Sequence, residues 1–313
     1  MVTKQDLLDG LVSYWKFDET SGTIAVDSHG SNDGDIVGAI INQDGQIGRA
    51  YSFDGENDYV EVSDNLDLVE SSSFTIGAWI KTSSSTGNNG ILGHGVSMSS
   101  GETSGFQFTL EDNNLRIFYL NTASPSTVAD IKGGTINTDT WHHVMVVYDS
   151  SNYNVKLYID NSEVADDTHS FGIETSSSYV KIGAWGRSGA VNPFDGLIDE
   201  VAVWNRALSS DEVSTLYDIQ KDGNESGSYP FNALSLKIKG TTKKQGTLIQ
   251  GAKVSCINQN TNELVGHTNS DENGEWEFSD LVETDKYHVV GSLEDGEKFN
   301  HLSYYDIEPK EEE

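Results

Sequence analysis

The sequence is poor in cysteine, proline and basic residues. Its single cysteine, Cys256, excludes an intramolecular disulfide. Cys256 lies in the apolar run 252–257 and reads as a small buried hydrophobe. With only 4 prolines, turns must be built from the 31 glycines and from Asn and Asp. No run of apolar residues is long enough for a membrane-spanning helix, so no membrane insertion is expected. Residues 1–9 lack the apolar stretch of a secretory leader. Lys and Arg number 19 against 50 Asp and Glu, a formal net charge of -31. Nucleic-acid binding is excluded on that balance, because attraction to phosphates needs clustered basic residues.

The acid excess has two readings that can coexist. One is adaptation to a salty, halophilic setting, where self-repulsion is screened. The other is that some carboxylates hold Ca²⁺ through hard oxygen ligands.

What the chain does contain is short alternating apolar runs. Residues 11–17, 49–53, 59–62, 74–80, 105–110, 115–119, 141–148, 154–159, 179–183 and 197–204 read as strands. Residues 111–114 and 149–153 read as hairpin turns. Ser209-Ser210-Asp211-Glu212 has the form of a capping box, and Val213, Leu216 and Tyr217 then share one helical face. A chain of 313 residues exceeds what one core usually fills, so two domains are expected. The division is a short N-terminal segment 1–9, a first domain 10–220, a Gly/Ser/Asn-rich linker 221–233, a small second domain 234–308 and a charged tail 309–313.

Six pieces, in order, carry a family resemblance. They are residues 10–19, Ser52-Phe53-Asp54-Gly55 continuing to Val60, residues 74–80, Trp141-His142-His143-Val144, residues 194–201 and residues 204–209. Together they resemble the laminin-G-like, concanavalin A-like jelly roll. Residues 249–254, 268–278, Leu281 and 287–289 resemble the carboxypeptidase-regulatory, transthyretin-like β-sandwich, with 271–274 as a hairpin turn. The expected fold is all-β: a concanavalin-like jelly-roll sandwich plus a small C-terminal β-sandwich.

No catalytic machinery is expected. Concanavalin-like glycoside hydrolases carry two carboxylates on one strand facing a cleft, and no Glu-x-Asp-x-Glu occurs in the strands. Neither G-x-S-x-G nor H-E-x-x-H is present. His142 and His143 point to opposite faces of a strand, one packed inside and one outside, so they do not share a metal.

In related jelly rolls a structural Ca²⁺ ties the N-terminal segment to the final strand. Carried over by position, the resemblance implies Asp18, Glu19, Asn32 and Asp199 as ligands. Asp54, Glu56, Asn57 and Asp58 read instead as a hairpin turn with Asx bonding. The loops 87–104 and 185–194 are long, polar and Gly-rich, the usual ligand elements of a rigid sandwich. His94, Trp185, Arg187 and Asn192 are the expected ligand-binding residues, with core packing as the competing role for Trp185. Trp15, Trp79, Trp141 and Trp204 have apolar strand neighbours and read as core.

Laminin-G-like modules are frequent in structural proteins of tailed viruses. With no leader visible, the expectation is a non-catalytic virion surface protein (a tail fibre, spike or capsid turret) that adheres to a host-surface glycan or glycoprotein. Its other partners would be virion proteins, and a homo-oligomer is expected from virion symmetry. The alternative is a cell-surface or secreted carbohydrate-binding adhesin.

Overall fold

The computed structural model divides into two compact units, Met1–Phe231 and Asn232–Glu313. In the first it describes residues 2, 4–63, 66, 68, 72–94, 105–120, 128–170, 173, 179–185 and 191–223; in the second, the strand backbones.

The first unit is a sandwich of two eight-stranded antiparallel sheets. One sheet runs β14 (Ser162–Thr168), β13 (Asn154–Ile159), β12 (His142–Asp149), β7 (Phe74–Thr82), β16 (Asp195–Trp204), β5 (Arg49–Asp54) and β4 (Ile40–Asp44). In it β1 (Leu11–Trp15) also pairs with β16. The other runs β11 (Val128–Gly133), β10 (Asn114–Leu120), β9 (Gly105–Glu111), β8 (Asn88–His94), β15 (Val180–Ile182), β6 (Tyr59–Val62), β3 (Gly34–Val37) and β2 (Ile24–Ala25). The period-two alternation of apolar residues produces the core. Ile76, Ala78 and Ile80 of β7 and Val144 and Val146 of β12 meet Phe106 and Phe108 of β9 and Leu115 and Ile117 of β10 between the sheets.

Most strand and turn expectations hold, with adjustments at the ends. The first strand stops at Trp15, and Phe17 sits at φ 58°, turning the chain away from the sheet. Residues 111–114 form the β9–β10 turn, with Asp112 and Asn113 both left-handed at φ 47° and 62°. Two positive φ values in a two-residue loop match the right-handed twist of the flanking strands. Asn113 Oδ1 is buried without a hydrogen-bond partner. Asn113→Gly removes that orphan acceptor and suits the backbone, so it should stabilise the unit by about 1 kcal/mol. A thermal melt checks this, and a lowered midpoint counts against it.

A second apolar cluster lies on the outer face of the first sheet. Tyr14, Met145, Val147, Ala202 and Trp204 are covered there by Leu7 of α1 (Lys4–Leu8) and by Val213 and Leu216 of α2 (Ser210–Gln220). Trp204 Nε1 donates to Leu7 O at 2.7 Å. Val2, Leu7 and Leu8 of the N-terminal segment therefore pack on the jelly roll. The capping box is formed: Ser209 Oγ accepts from Glu212 N, and Glu212 Oε2 accepts from Ser209 N at 2.7 Å.

This covering helix corrects the histidine expectation. His142 and His143 do face opposite ways, but neither is outside. His142 Nδ1 meets Asp160 Oδ2 at 2.6 Å. His143, on the outer face, is buried against Trp79 and Tyr217 of α2. Trp15, Trp79 and Trp204 are buried, whereas Trp141 is partly exposed.

The described strands of the second unit pair antiparallel. β17 (Leu236–Thr241) pairs with β22 (Glu275–Leu281), and β18 (Lys243–Lys244) with β19 (Thr247–Leu248). β20 (Lys253–Asn258) lies between β21 (Leu264–Asn269) and β23 (Tyr287–Ser292). The turn 271–274 lies outside the described residues. No described helix is long and apolar enough to cross a membrane.

Candidate functional site

Among the buried polar groups left without a partner in the described residues, two sets lie on the outer faces of the sheets. The first starts at an irregularity in β16. Asp199 pairs with Trp79, but Ala202 pairs with Gly77, so β16 carries one extra residue. Ile198 and Val201 both face the inner core. The extra residue therefore turns Asp199 and Glu200 together to the outer face, with Glu200 left-handed at φ 52°.

Glu200 joins a buried network. Tyr14 Oη and Gln220 Nε2 both donate to its Oε2, and Trp79 Nε1 donates to Gln220 Oε1 at 3.1 Å. Its Oε1 has no partner, and burial pushes its carboxyl well above the usual range. Asp199 is fully buried. Its Oδ2 accepts from Ile47 N at 3.0 Å, whereas its Oδ1 has no partner. Burial raises its carboxyl strongly and the nearby charge of Asp18 adds to this, against backbone N–H groups of Ile47, Glu200 and Gln46.

Asp18 reaches the same turn: its Oδ1 accepts from Arg49 N at 2.8 Å. The turn at 45–48 between β4 and β5 must come close to both acids. A methyl added at Gly45 would stand 2.7 Å from Asp199 Oδ2, and one at Gly48 would collide with Asp18 Oδ1. The structure thus brings Asp18 and Asp199 together. Glu19 and Asn32 are engaged elsewhere. Glu19 accepts from Val26 N and Tyr51 Oη. Asn32 donates to Ser13 Oγ and Asp27 Oδ2 and accepts from Trp15 Nε1 through its carbonyl. Among the described residues no three His, Cys, Asp or Glu side chains form a metal cluster. A hard cation here would take carboxylate oxygens from Asp18 and Asp199 and complete its shell with backbone carbonyls and water. The groups facing the two acids include backbone N–H donors, from Ile47, Gln46 and Glu200 to Asp199 and from Arg49 to Asp18, and Asp199 Oδ1 is the one oxygen of Asp199 without a geometrically defined bond among the described residues. The Asp54 group is turn chemistry as expected: Asp54 Oδ1 accepts from Glu56 N and Asn57 N, and Asp58 Oδ2 from Asp54 N.

The second place is the outer face of the second sheet. Cross-strand pairing lays Glu61, Lys181, Gly93, Gln107, Phe118 and Asp130 in one row across six strands. Lys181 Nζ lies 3.5 Å from Glu61 and 4.2 Å from the Tyr59 ring centre. Trp185 crosses the row at Gly93, where any Cβ would collide with the Trp185 Cβ. Among the described residues, Trp185 Nε1 and Gln107 Nε2 are buried and have no acceptor.

Trp185 forms an antiparallel bridge with Val191, the residue before Asn192. Trp185 and Val191 exchange backbone hydrogen bonds, and Asn192 O accepts from Gly90 N at 2.8 Å. Arg187 lies outside the described residues. His94 is placed differently from the expectation. It pairs with the core residue Phe106 and stacks on it at 5.7 Å, so its ring faces inward and is fully buried. Burial lowers its ring to about 4. Sequence alternation already turns Gln107 away from Phe106 and Phe108. Nothing in the sequence marked Gly93 or the extra residue at Glu200.

A family model described as the Concanavalin A-like lectin/glucanases superfamily matches residues 54–214, just over half of the chain. A comparison with curated protein sequences gave no match. Among solved structures, domain 4 of AbnA, an extracellular GH43 arabinanase from Geobacillus stearothermophilus solved with arabinotriose, is 24% identical. That match has a TM-score of 0.50 and covers 66% of this chain and 97% of that one. The binding domain of botulinum neurotoxin serotype D is 12% identical with a TM-score of 0.52, covering 91% of this chain and 73% of that one. The serotype G binding domain is 14% identical, also at 0.52, covering 94% and 70%. At these identities the structural likeness is one of fold. On the family match, this chain belongs to the concanavalin A-like lectin/glucanase superfamily.

Proposed function

We infer that the jelly roll is a non-catalytic glycan-binding module whose ligand lies on the outer face of the second sheet. One observation carries the reading. Trp185 packs its Cβ against Gly93 and has an indole N–H without a partner among the described residues, and buried Gln107 holds a second such donor on the strand paired with Gly93. Sugar hydroxyl and ring oxygens are acceptors suited to such donors, and an indole face suits a pyranose ring. Unsatisfied buried donors cost about 1–3 kcal/mol each, which a ligand oxygen recovers. The arabinotriose complex of the AbnA domain agrees in ligand class. Binding without chemistry is supported by where the perturbed carboxylates lie. Asp199 and Glu200 are on the outer face of the first sheet, beneath α2 and the 45–48 turn.

A Ca²⁺ ion held by Asp18 and Asp199 belongs to this reading as a structural cofactor. It would tie the segment after β1 to β16 and neutralise two acids in a chain of net charge -31. The proposed setting is a virion surface, with the second unit as a connector to other virion proteins and the glycan on a host surface. The resemblance to structural modules of tailed viruses supports it, and mass spectrometry of purified virions tests it. A cell-surface or secreted adhesin is the alternative setting.

A glycan array probed with the full chain, with Ca²⁺ present, tests the binding itself. Hits confined to a related set of glycans are expected. An array without hits across a range of salt concentrations overturns the reading.

A further inference from the structure

On the outer face of the second sheet, the donors left without an acceptor among the described residues are uncharged, whereas the cations are engaged by carboxylates. The donors are the indole N–H of Trp185 and the amide N–H of Gln107. Lys181, one strand from Gly93, is buried. Its ammonium leans away from Gly93 onto two side chains of β6, 3.5 Å from Glu61 and 4.2 Å from the Tyr59 ring centre. Arg116 grips Asp130 with a bidentate fork, Nε to Oδ1 at 2.7 Å and Nη2 to Oδ2 at 3.0 Å. Its Nη1 donates to Asn88 Oδ1 and Glu111 Oε1. Lys132, opposite Arg116, contacts Glu111 and lies 3.6 Å from Asp130. Asp35, opposite Glu61 on β3, adds a further carboxylate. Among the described residues, acids therefore outnumber cations on this face, in a chain of net charge -31.

We propose that this face selects uncharged glycans and rejects those carrying a carboxylate or a sulfate, with Glu61 and Asp130 as specificity-determining residues. This rests on the reading of the face as a glycan site. Hydroxyl and ring oxygens need only the neutral donors of Trp185 and Gln107. An anionic substituent meets cations that are already paired, and it meets the acids that pair them. Glu61 lies two strands from Gly93 on one side, and Asp130 two strands from Gln107 on the other. At the usual strand spacing each is about 10 Å away. That is about one Debye length at 0.1 M salt, so the repulsion is felt at low salt and fades as salt is raised. Discrimination of this kind comes from what the site does to the wrong ligand rather than from added contacts to the right one.

An array probed with the full chain tests this, holding neutral oligosaccharides beside the same oligosaccharides bearing a sialic acid, a uronic acid or a sulfate ester. Calorimetry then follows the pairs that bind. Neutral members should bind at least about fivefold more tightly at low salt, with the gap closing at high salt. Glu61→Gln releases Lys181 from its carboxylate, and Asp130→Asn weakens the hold on Arg116. Each should narrow the neutral-to-acidic affinity ratio by about two- to fivefold. A thermal melt establishes that each variant is folded, and the two substitutions, on opposite sides of the site, act independently. Acidic members that bind as tightly as their neutral counterparts, or a ratio unchanged in both variants, overturn the selectivity alone. An array without hits in either class removes the glycan reading and the selectivity with it.

Discussion

Ca²⁺ added to chelator-treated protein should raise the melting temperature of the jelly roll by about 10 °C, and Asp199→Asn should abolish the rise. A ligand that binds only the folded state at about a thousand times its Kd contributes about 4 kcal/mol. In a unit of this size each kcal/mol moves the midpoint by about 2–4 °C. The variant is informative because its cation-free fold is spared. The Asn oxygen still accepts from Ile47 N, and the amide replaces a buried carboxylate whose Oδ1 has no donor. Metal-free Asp199→Asn should therefore melt at or above metal-free wild type. A rise that persists in Asp199→Asn contradicts the assignment, as does a wild-type midpoint indifferent to Ca²⁺.

Acid should unfold the jelly roll through two histidines that its packing keeps neutral. Burial lowers His94 to about 4, and burial lowers His143 to about 4 against the opposing charge of Asp160. In the unfolded chain both take a proton near pH 6.5. Folded stability is thus complete above that pH and is lost as pH falls from about 6.5 to about 4. Between pH ~7 and pH ~5 each histidine removes about 2 kcal/mol. Asp199 and Glu200 act in the opposite sense, because their raised carboxyls take protons in the folded state first. The difference between variants isolates the histidine part. His94→Phe/His143→Phe should show a urea midpoint that falls less on acidification, by the equivalent of about 4 kcal/mol at pH ~5. Equal falls in the two proteins would mean that these rings are not the acid-sensitive groups.

The sequence made the sandwich legible because period-two alternation is clear in β9 and β10. The capping box likewise announced α2. Its covering role was not legible: Met145, Val147 and Ala202 read as half of an alternating pattern with a wet side, and only tertiary packing puts α1 and α2 over them. The candidate sites were read in part. Asp18 and Asp199 approach the same turn in the structure. Glu19 and Asn32 turn to other partners, Val26, Tyr51 and Ser13, a choice of loop direction that a carry-over by position does not capture. His94 closes β8, where the chain leaves the sheet, so strand and loop are not separable there from the sequence. Trp185 was singled out, but the reason it lies across the sheet is Gly93, on a different strand. An extra residue in β16 leaves no sequence signal either, since Glu200 adopts a backbone conformation that non-glycine residues seldom take.

The central claim is that glycan lies against Trp185 and Gln107 on the second sheet, apart from the cation place on the first. The most direct measurement is calorimetric affinity for the best array glycan, compared between wild type, Trp185→Ala and Gln107→Ala in saturating Ca²⁺. Losing a stacked aromatic or a ligand hydrogen bond costs about 1–3 kcal/mol, so each variant should bind at least about tenfold more weakly with its melting temperature nearly unchanged. Wild-type affinity in both variants would contradict the assignment.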